Sequence, residues 1–279
     1  MKKIITFAAV IFLCQCNRDT KEPFTNQDIV LYNAQAALYF HTVFREAENA
    51  WAFVDSMKYR EGTYPDAENK SSAVKKMTVT CDKSKVTLDI EYNSWETNLL
   101  LLSGTIKLKF DTCSYRKNGK DATVSLSDFS INGQPVLGES SIKFNRAVGG
   151  KDSYNFSLFE GSAIHEQGRS MPVLISCTVS NGQYERAEGN ETFTQEDDVW
   201  VYSSVMTGML RNDPNLKYTN TVINSYLDNG QNKDGRIYYS MNCKQAKQGI
   251  SRITFLKRPE IVFFHGCSGY YFESVTHIE

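Results

Sequence analysis

Residues 86–92 read Val-Thr-Leu-Asp-Ile-Glu-Tyr, and residues 106–110 read Ile-Lys-Leu-Lys-Phe. In both runs apolar and polar side chains alternate. A period of two places Val86, Leu88, Ile90 and Tyr92 on one face and Thr87, Asp89 and Glu91 on the other, as in a strand with one side buried and one side wet. The same habit continues through residues 124–126, 154–158, 173–179, 199–205, 237–241 and 253–255. A fully apolar run over residues 261–264 precedes a terminal strand expected over 270–278.

Between these runs lie Asn118-Gly119, Asn132-Gly133, Asn181-Gly182, Asn229-Gly230 and Asp234-Gly235. Such pairs accept positive φ at low cost and favour tight hairpins. No second long helical pattern separates the strands, which argues against parallel β-α-β units. The expected fold is mainly β: an antiparallel meander folded into a sandwich, or curled into an open barrel, with one N-terminal α-helix. No domain boundary is visible after residue 76, so residues 26–279 are expected to form a single β-rich domain.

The helix is expected over about residues 26–60. Thr25 followed by Asp28 has the form of a capping box, in which a hydroxyl satisfies a free N–H and an acid complements the helix dipole. Beyond it Ile29, Ala36, Phe40, Val43, Ala47 and Val54 recur at helical spacing, with Trp51 and Met57 in the same series. This reads as one apolar stripe packed on the sheet, ending near Gly62 and Pro65.

At the start of the chain Lys2 and Lys3 precede an apolar run from Ile4 to Leu13, broken only by Thr6. The run is about half the roughly 20 residues a membrane-spanning helix needs. It therefore reads as a secretory signal over residues 1–15. Leu13, Cys14, Gln15 and Cys16 resemble the bacterial lipobox, with Cys16 as the residue that takes the lipid. Residues 16–25 then form a polar tether. Acylation would hold the domain at a membrane surface, each buried methylene contributing about 0.8 kcal/mol.

The formal net charge is -1 and the sequence pI is about 6.5. Nucleic acid is thereby disfavoured as a partner, since duplex binding rests on many Lys and Arg contacts to phosphate. A hydrophobic share of 41% and an aromatic share of 12% point to a folded chain. Export permits disulfides among Cys81, Cys113, Cys177, Cys243 and Cys267. Cys243 and Cys267 follow apolar strand runs, and a bridge between them would contribute about 3 kcal/mol. Cys81 with Cys113 is the expected second pair, leaving Cys177 over.

The remaining candidates for chemistry are sparse. His265 stands two residues from Cys267, the ingredients of a nucleophile and its base, but the disulfide reading is the stronger. Asp228, Asn232 and Asp234 alternate in a polar turn and offer oxygens to a cation, without the closing bidentate glutamate of an EF-hand. Glu196, Asp197 and Asp198 form an acidic run, but neighbours on a strand point to opposite faces, so they do not make a glycosidase pair by themselves. The other histidines, His41, His165 and His277, are scattered without ligand spacing. Tyr270, Tyr271 and Phe272 place a ring on each face of a strand and are the candidate ligand contacts. No catalytic residues, cofactor or metal are expected.

Several motifs resemble an uncharacterised family of β-rich lipoproteins of Bacteroidota. They are residues 103–110 (SGTIKLKF), 128–138 (DFSINGQPVLG), 197–208 (DDVWVYSSVMTG), and the pair Cys243 and Cys267 with Gly266 between them. The segment around His265 and the ending after Ser274 depart from that pattern. The resemblance implies a β-rich fold and an outer-membrane lipoprotein in the cell envelope, and it carries no activity. The expected role is non-enzymatic binding or structure, with a glycan or an envelope protein as partner and the membrane engaged through the lipid. The alternatives are an enzyme acting on an envelope glycan and a carrier of a lipid or small apolar ligand.

Overall fold

The computed structural model describes residues 25–58, 60–65, 74–82, 85–97, 100–110, 121–146, 152–165, 173–188, 199–210, 216–240, 243, 246–255, 258–267 and 269–275. Among the described residues the architecture is one helix, one large antiparallel sheet and a separate two-stranded hairpin. The helix α1 spans Asn26–Ser56. The strands are β1 Gly62–Pro65, β2 Val74–Asp82, β3 Lys85–Thr97, β4 Leu100–Phe110, β5 Asp121–Ile131, β6 Gln134–Arg146, β7 Asp152–His165 and β8 Val173–Glu188. After them come β9 Val199–Leu210, β10 Lys217–Val222, β11 Ser225–Asp228, β12 Gln231–Asp234, β13 Ile237–Ser240, β14 Ala246–Phe255, β15 Arg258–Gly266 and β16 Gly269–Val275.

Strands β1 to β10 pair each with the next, and β14, β15 and β16 continue the series from β10. Strand β13 pairs with both β9 and β14, so β10 and β13 lie end to end in one lane. Between them the chain leaves the sheet as the separate β11–β12 hairpin.

The alternation read in the sequence is what forms these strands. Val86, Leu88, Ile90 and Tyr92 are buried, as are Ile106, Leu108 and Phe110 opposite them. On the outer face Lys107 pairs with Asp89 at 3.1 Å and Lys76 with Glu91 at 3.4 Å. Asn132-Gly133 and Asn229-Gly230 make two-residue turns with positive φ at both positions. Asn181-Gly182 does not turn the chain: it lies inside β8, where the register shifts between Ser180 and Gln183. Gly182 serves a close approach there and not a positive φ: a Cβ on it would meet the Phe156 carbonyl oxygen of β7 at 2.5 Å.

Bulges also curl the sheet near its first strands. Register shifts fall between Tyr92 and Trp95, between Ser103 and Thr105, and between Ser125 and Ser130. Gly104 sits there with φ +96, and a Cβ on it would meet the Asp128 carbonyl oxygen at 2.2 Å. Only glycine lets the two backbones come so close.

Two features of the helix differ from expectation. It stops at Ser56, with Met57 as its C-cap and Lys58 at φ 56, while Gly62–Pro65 is extended and paired with β2. Pro65 fits there because β1 is the end strand of the sheet, where a missing N–H costs little. The second difference concerns the stripe. From Asp28 to Asp55 no residue of α1 is exposed, and Tyr39 to Glu48 are buried on every side. A single apolar stripe presumes a wet face, and this helix has none in its middle.

The reason is that the sheet wraps around it. Strands lie about 4.8 Å apart, so thirteen lanes laid flat would span about 60 Å, against a helix about 10–12 Å wide. Yet α1 touches β1 through Phe53 and Tyr64, and also reaches β15 and β16. One cylinder meets both ends of the sheet only if the sheet curls around it. The open-curl alternative is thus the one adopted, with α1 as the core of the curl. Of the half-buried residues, Leu31, Gln35, Leu38, Asn49 and Ala52 fall on one side of the helical wheel. That side lies between the directions of Phe53 and of His41, which meets β13, where the two ends of the sheet approach each other.

Candidate functional site

Among the described residues, the polar side chains of the enclosed helix form the densest collection of charged groups. Asn33 and Thr42 solve burial locally, Asn33 Nδ2 donating to the Ile29 carbonyl and Thr42 Oγ1 to that of Leu38, both at 2.9 Å. The charged residues reach the sheet instead.

Glu46 faces β2 and β3. Its Oε2 accepts from Lys75 Nζ at 2.9 Å and from the Tyr92 hydroxyl at 3.0 Å, and its Oε1 lies 3.4 Å from Arg45 Nη2. Arg45 Nη2 also donates to Thr97 Oγ1 at 3.0 Å. Two residues on, about 200° around the helix at 3.6 residues per turn, Glu48 faces β7 and β8. The Tyr154 hydroxyl donates to its Oε1 at 2.8 Å, and Arg186 Nη2 lies 3.5 Å away with its guanidinium 4.7 Å over the Trp200 ring. Helix and sheet are pinned on two opposite sides.

Burial pushes the Glu46 carboxyl up, and the Lys75 and Arg45 charges together with the hydrogen bonds from Lys75 and Tyr92 outweigh it, so its pKa lies below the ordinary value. A carboxylate held ionised in this way is a poor proton donor at neutral pH. Its partners in turn are raised or tied: burial and then the Glu46 charge push the Tyr92 hydroxyl well above its usual range. The group is an ionic lock that ties α1 to β2 and β3.

Beside Glu48 an aromatic cluster fills the curl. Phe44 stacks on Tyr184 with centroids 3.8 Å apart and meets Trp200 edge-on at 5.5 Å. His41 stacks on Tyr239 at 3.8 Å. Burial, followed by the charge of Arg45, holds the His41 pKa well below normal, so the ring is neutral. The tyrosines Tyr184 and Tyr239 are raised by burial.

A second polar pair lies between β14 and β15. Ser251 Oγ stands 3.0 Å from His265 Nε2, and both residues are buried. A serine next to a histidine suggests a nucleophile and base, but burial lowers the His265 pKa to about 3. Such a ring accepts no proton at neutral pH, and Ser251 at 0% exposure meets no substrate. The pair satisfies two buried polar groups.

The residues singled out in the sequence are dispersed. Cys243 and Cys267 form a disulfide, Cα to Cα 4.9 Å, tying the segment after β13 to the β15–β16 turn. His265, two residues away, turns inward to Ser251 instead. Cys81 lies near the end of β2, its N–H donating to Glu61 Oε1 at 2.7 Å, while Cys113 lies outside the described residues. Cys177 belongs to β8 and Tyr270, Tyr271 and Phe272 to β16, opposite His265, Phe264 and Phe263; their side chains are outside what is described. His165 ends β7, its side chain likewise outside what is described. Cys16, the run Glu196, Asp197 and Asp198, and His277 also lie outside the described residues.

The turn proposed for a cation is the β11–β12 hairpin. Asn232 and Asp234 alternate along β12, and Asp228 ends β11. Asp234 is already engaged: its oxygens accept from the Arg236 N–H at 2.9 Å, from the Arg236 guanidinium at 2.7 and 3.1 Å, and from the Tyr238 hydroxyl at 2.8 Å. The Arg236 hydrogen bonds lower its pKa to about 2. Among the described residues no group of three metal-binding side chains occurs.

Sequence reading missed the ionic lock, and a signal was present. Leu31, Leu38 and Phe53 lie across the wheel from the stripe, and two acids two residues apart cannot share one wet face. Apolar residues on the presumed wet side announced an enclosed helix. In class, then, the molecule is an open antiparallel sheet curled around its own N-terminal helix. No family model, curated protein or solved structure matches the chain.

Proposed function

We propose that the chain is an exported lipoprotein of the cell envelope, held at the outer membrane by acylated Cys16, with a non-enzymatic binding or structural role toward a glycan or an envelope protein. The anchor half of the reading rests on the charged start, the short apolar run and the lipobox-like Leu13 to Cys16. None of the helices in the described residues is long and apolar enough to cross a membrane.

The observation that carries the non-enzymatic half is how the central polar groups are used. Glu46 and Glu48 point to opposite walls, and each is engaged by a cation and a tyrosine. A glycosidase needs two carboxylates facing each other about 5 to 9 Å apart, which these two are not placed to be. A carrier needs an open apolar cavity, and α1 fills the concave side of the sheet where a cargo would sit. The outer face is left as the working surface.

Metabolic palmitate labelling of the parent chain and of Cys16→Ala tests the anchor. The parent is expected to carry label and to sediment with membranes, and the variant to do neither. An unlabelled, soluble parent would end the reading.

A further inference from the structure

The dipeptide Asn-Gly recurs along this chain, and the structure gives three copies different surroundings. Asn132-Gly133 turns β5 into β6, both strands of the main sheet. The Asn132 N–H donates to the Leu101 carbonyl at 2.7 Å, and its Oδ1 accepts from the Leu101 N–H at 2.8 Å. That carboxamide is clamped to β4. Asn181-Gly182 lies within β8, between β7 and β9.

Asn229-Gly230 is differently placed. It turns β11 into β12, two strands of four residues that pair only with each other. The hairpin stands out of the lane shared by β10 and β13, and Leu227 on it is 75% exposed. Its departure is built in: Gly249 on the facing strand has φ +138, and a Cβ there would meet Ile237 Cα at 2.6 Å where the lane is broken. Asn229 itself is exposed, at φ 49.

We propose that Asn229 is a site of spontaneous deamidation, the one of these three positions where the fold permits the reaction. The Gly230 backbone nitrogen, having given its proton to hydroxide, attacks Asn229 Cγ. The Cγ–Nδ2 bond breaks, ammonia leaves with a proton from water, and a five-membered succinimide remains. Water then opens either carbonyl of that ring, giving aspartate or isoaspartate. Nothing is oxidised or reduced.

A positive-φ turn does not bring the glycine nitrogen to the carboxamide carbon, so the reaction runs through an opened hairpin. Its rate follows the population of that open state. A lone two-stranded hairpin is marginally stable in water, so the β11–β12 arm opens readily. Freeing Asn132 requires breaking two hydrogen bonds to Leu101 and fraying strands held in the main sheet. The isoaspartate product adds a methylene to the backbone of a two-residue turn and so displaces the register of the arm, while either product adds a carboxylate at its tip.

The test is peptide mapping by mass spectrometry during incubation of the full chain in mildly alkaline buffer, folded and in parallel unfolded in urea. In the folded protein Asn229 should convert at least about tenfold faster than Asn132, equivalent to about 1.4 kcal/mol less work to open. In urea the two should convert at similar rates. Equal conversion of Asn132 and Asn229 in the folded protein, or an intact Asn229 while the urea sample converts, would overturn the proposal.

Discussion

Glu46 sets the stakes at the scale of single residues. Its carboxylate is desolvated and holds Lys75, Arg45 and Tyr92 in place, so removing its charge strands cations inside the curl. Breaking one partner out of a buried pair costs about 3–5 kcal/mol, whereas a surface pair contributes about 0–1. Glu46→Gln is therefore expected to lower the urea unfolding free energy by about 3 kcal/mol. Lys107→Ala, which removes the exposed partner of Asp89, should change it by less than about 1 kcal/mol.

His265 makes a pH prediction. Its folded pKa is about 3, below the ordinary histidine value of 6.5. Between these values the unfolded chain binds a proton that the folded chain refuses, so stability is complete above about pH 6.5 and falls as the pH drops. The slope is about 1.4 kcal/mol per pH unit for one such group, and neutral His41 acts in the same direction. His265→Gln keeps a hydrogen-bonding partner for Ser251 but does not titrate. Urea titrations from pH 7 to 5 should show a shallower loss in that variant by about this slope, and an unchanged slope would remove His265 from the account.

At the scale of elements, the sequence announced what depends on near neighbours. Alternation gave β3 and β4 their buried faces, Thr25 with Asp28 marked the start of α1, and Asn132-Gly133 marked a turn. The capping box is made in full, Thr25 N donating to Asp28 Oδ2 at 2.9 Å and Asp28 N to Thr25 Oγ1 at 3.1 Å. What escaped was set by distant partners. Asn181-Gly182 makes a bulge and not a hairpin because β7 and β9 hold β8 straight on both sides. The split of one lane into β10 and β13 leaves only Gly249 and the pair Asp234-Gly235, which reads as the turn of a tight hairpin. Instead Asp234 ends β12 and Gly235 closes the base of the arm, its N–H donating to the Asn224 carbonyl at 3.1 Å with no positive φ at either residue.

At the scale of the whole molecule, the main sheet is joined among the described residues only by the two-stranded β11–β12 sheet, and its concave face packs on α1. Phe44 and His41 of that helix pack on Tyr154, Tyr184, Trp200 and Tyr239 of the sheet, and the core runs on from Tyr64 in β1 to Phe263 in β15. The enclosure could not be read from the period of the stripe, because a 3.6-residue repeat locates one buried face and is silent on whether the others are wet. It is also the claim on which the ionic lock and the proposed role both stand.

Ala34, Thr42 and Ala47 point in three directions around α1 and are 7%, 1% and 0% exposed. Cysteine placed singly at each and probed with a thiol reagent in the folded protein tests the enclosure directly. All three are expected to react no faster than the parent chain unfolds. Labelling of any one at the rate of the urea-unfolded protein would mean that α1 keeps a wet face and lies on the sheet, not inside it.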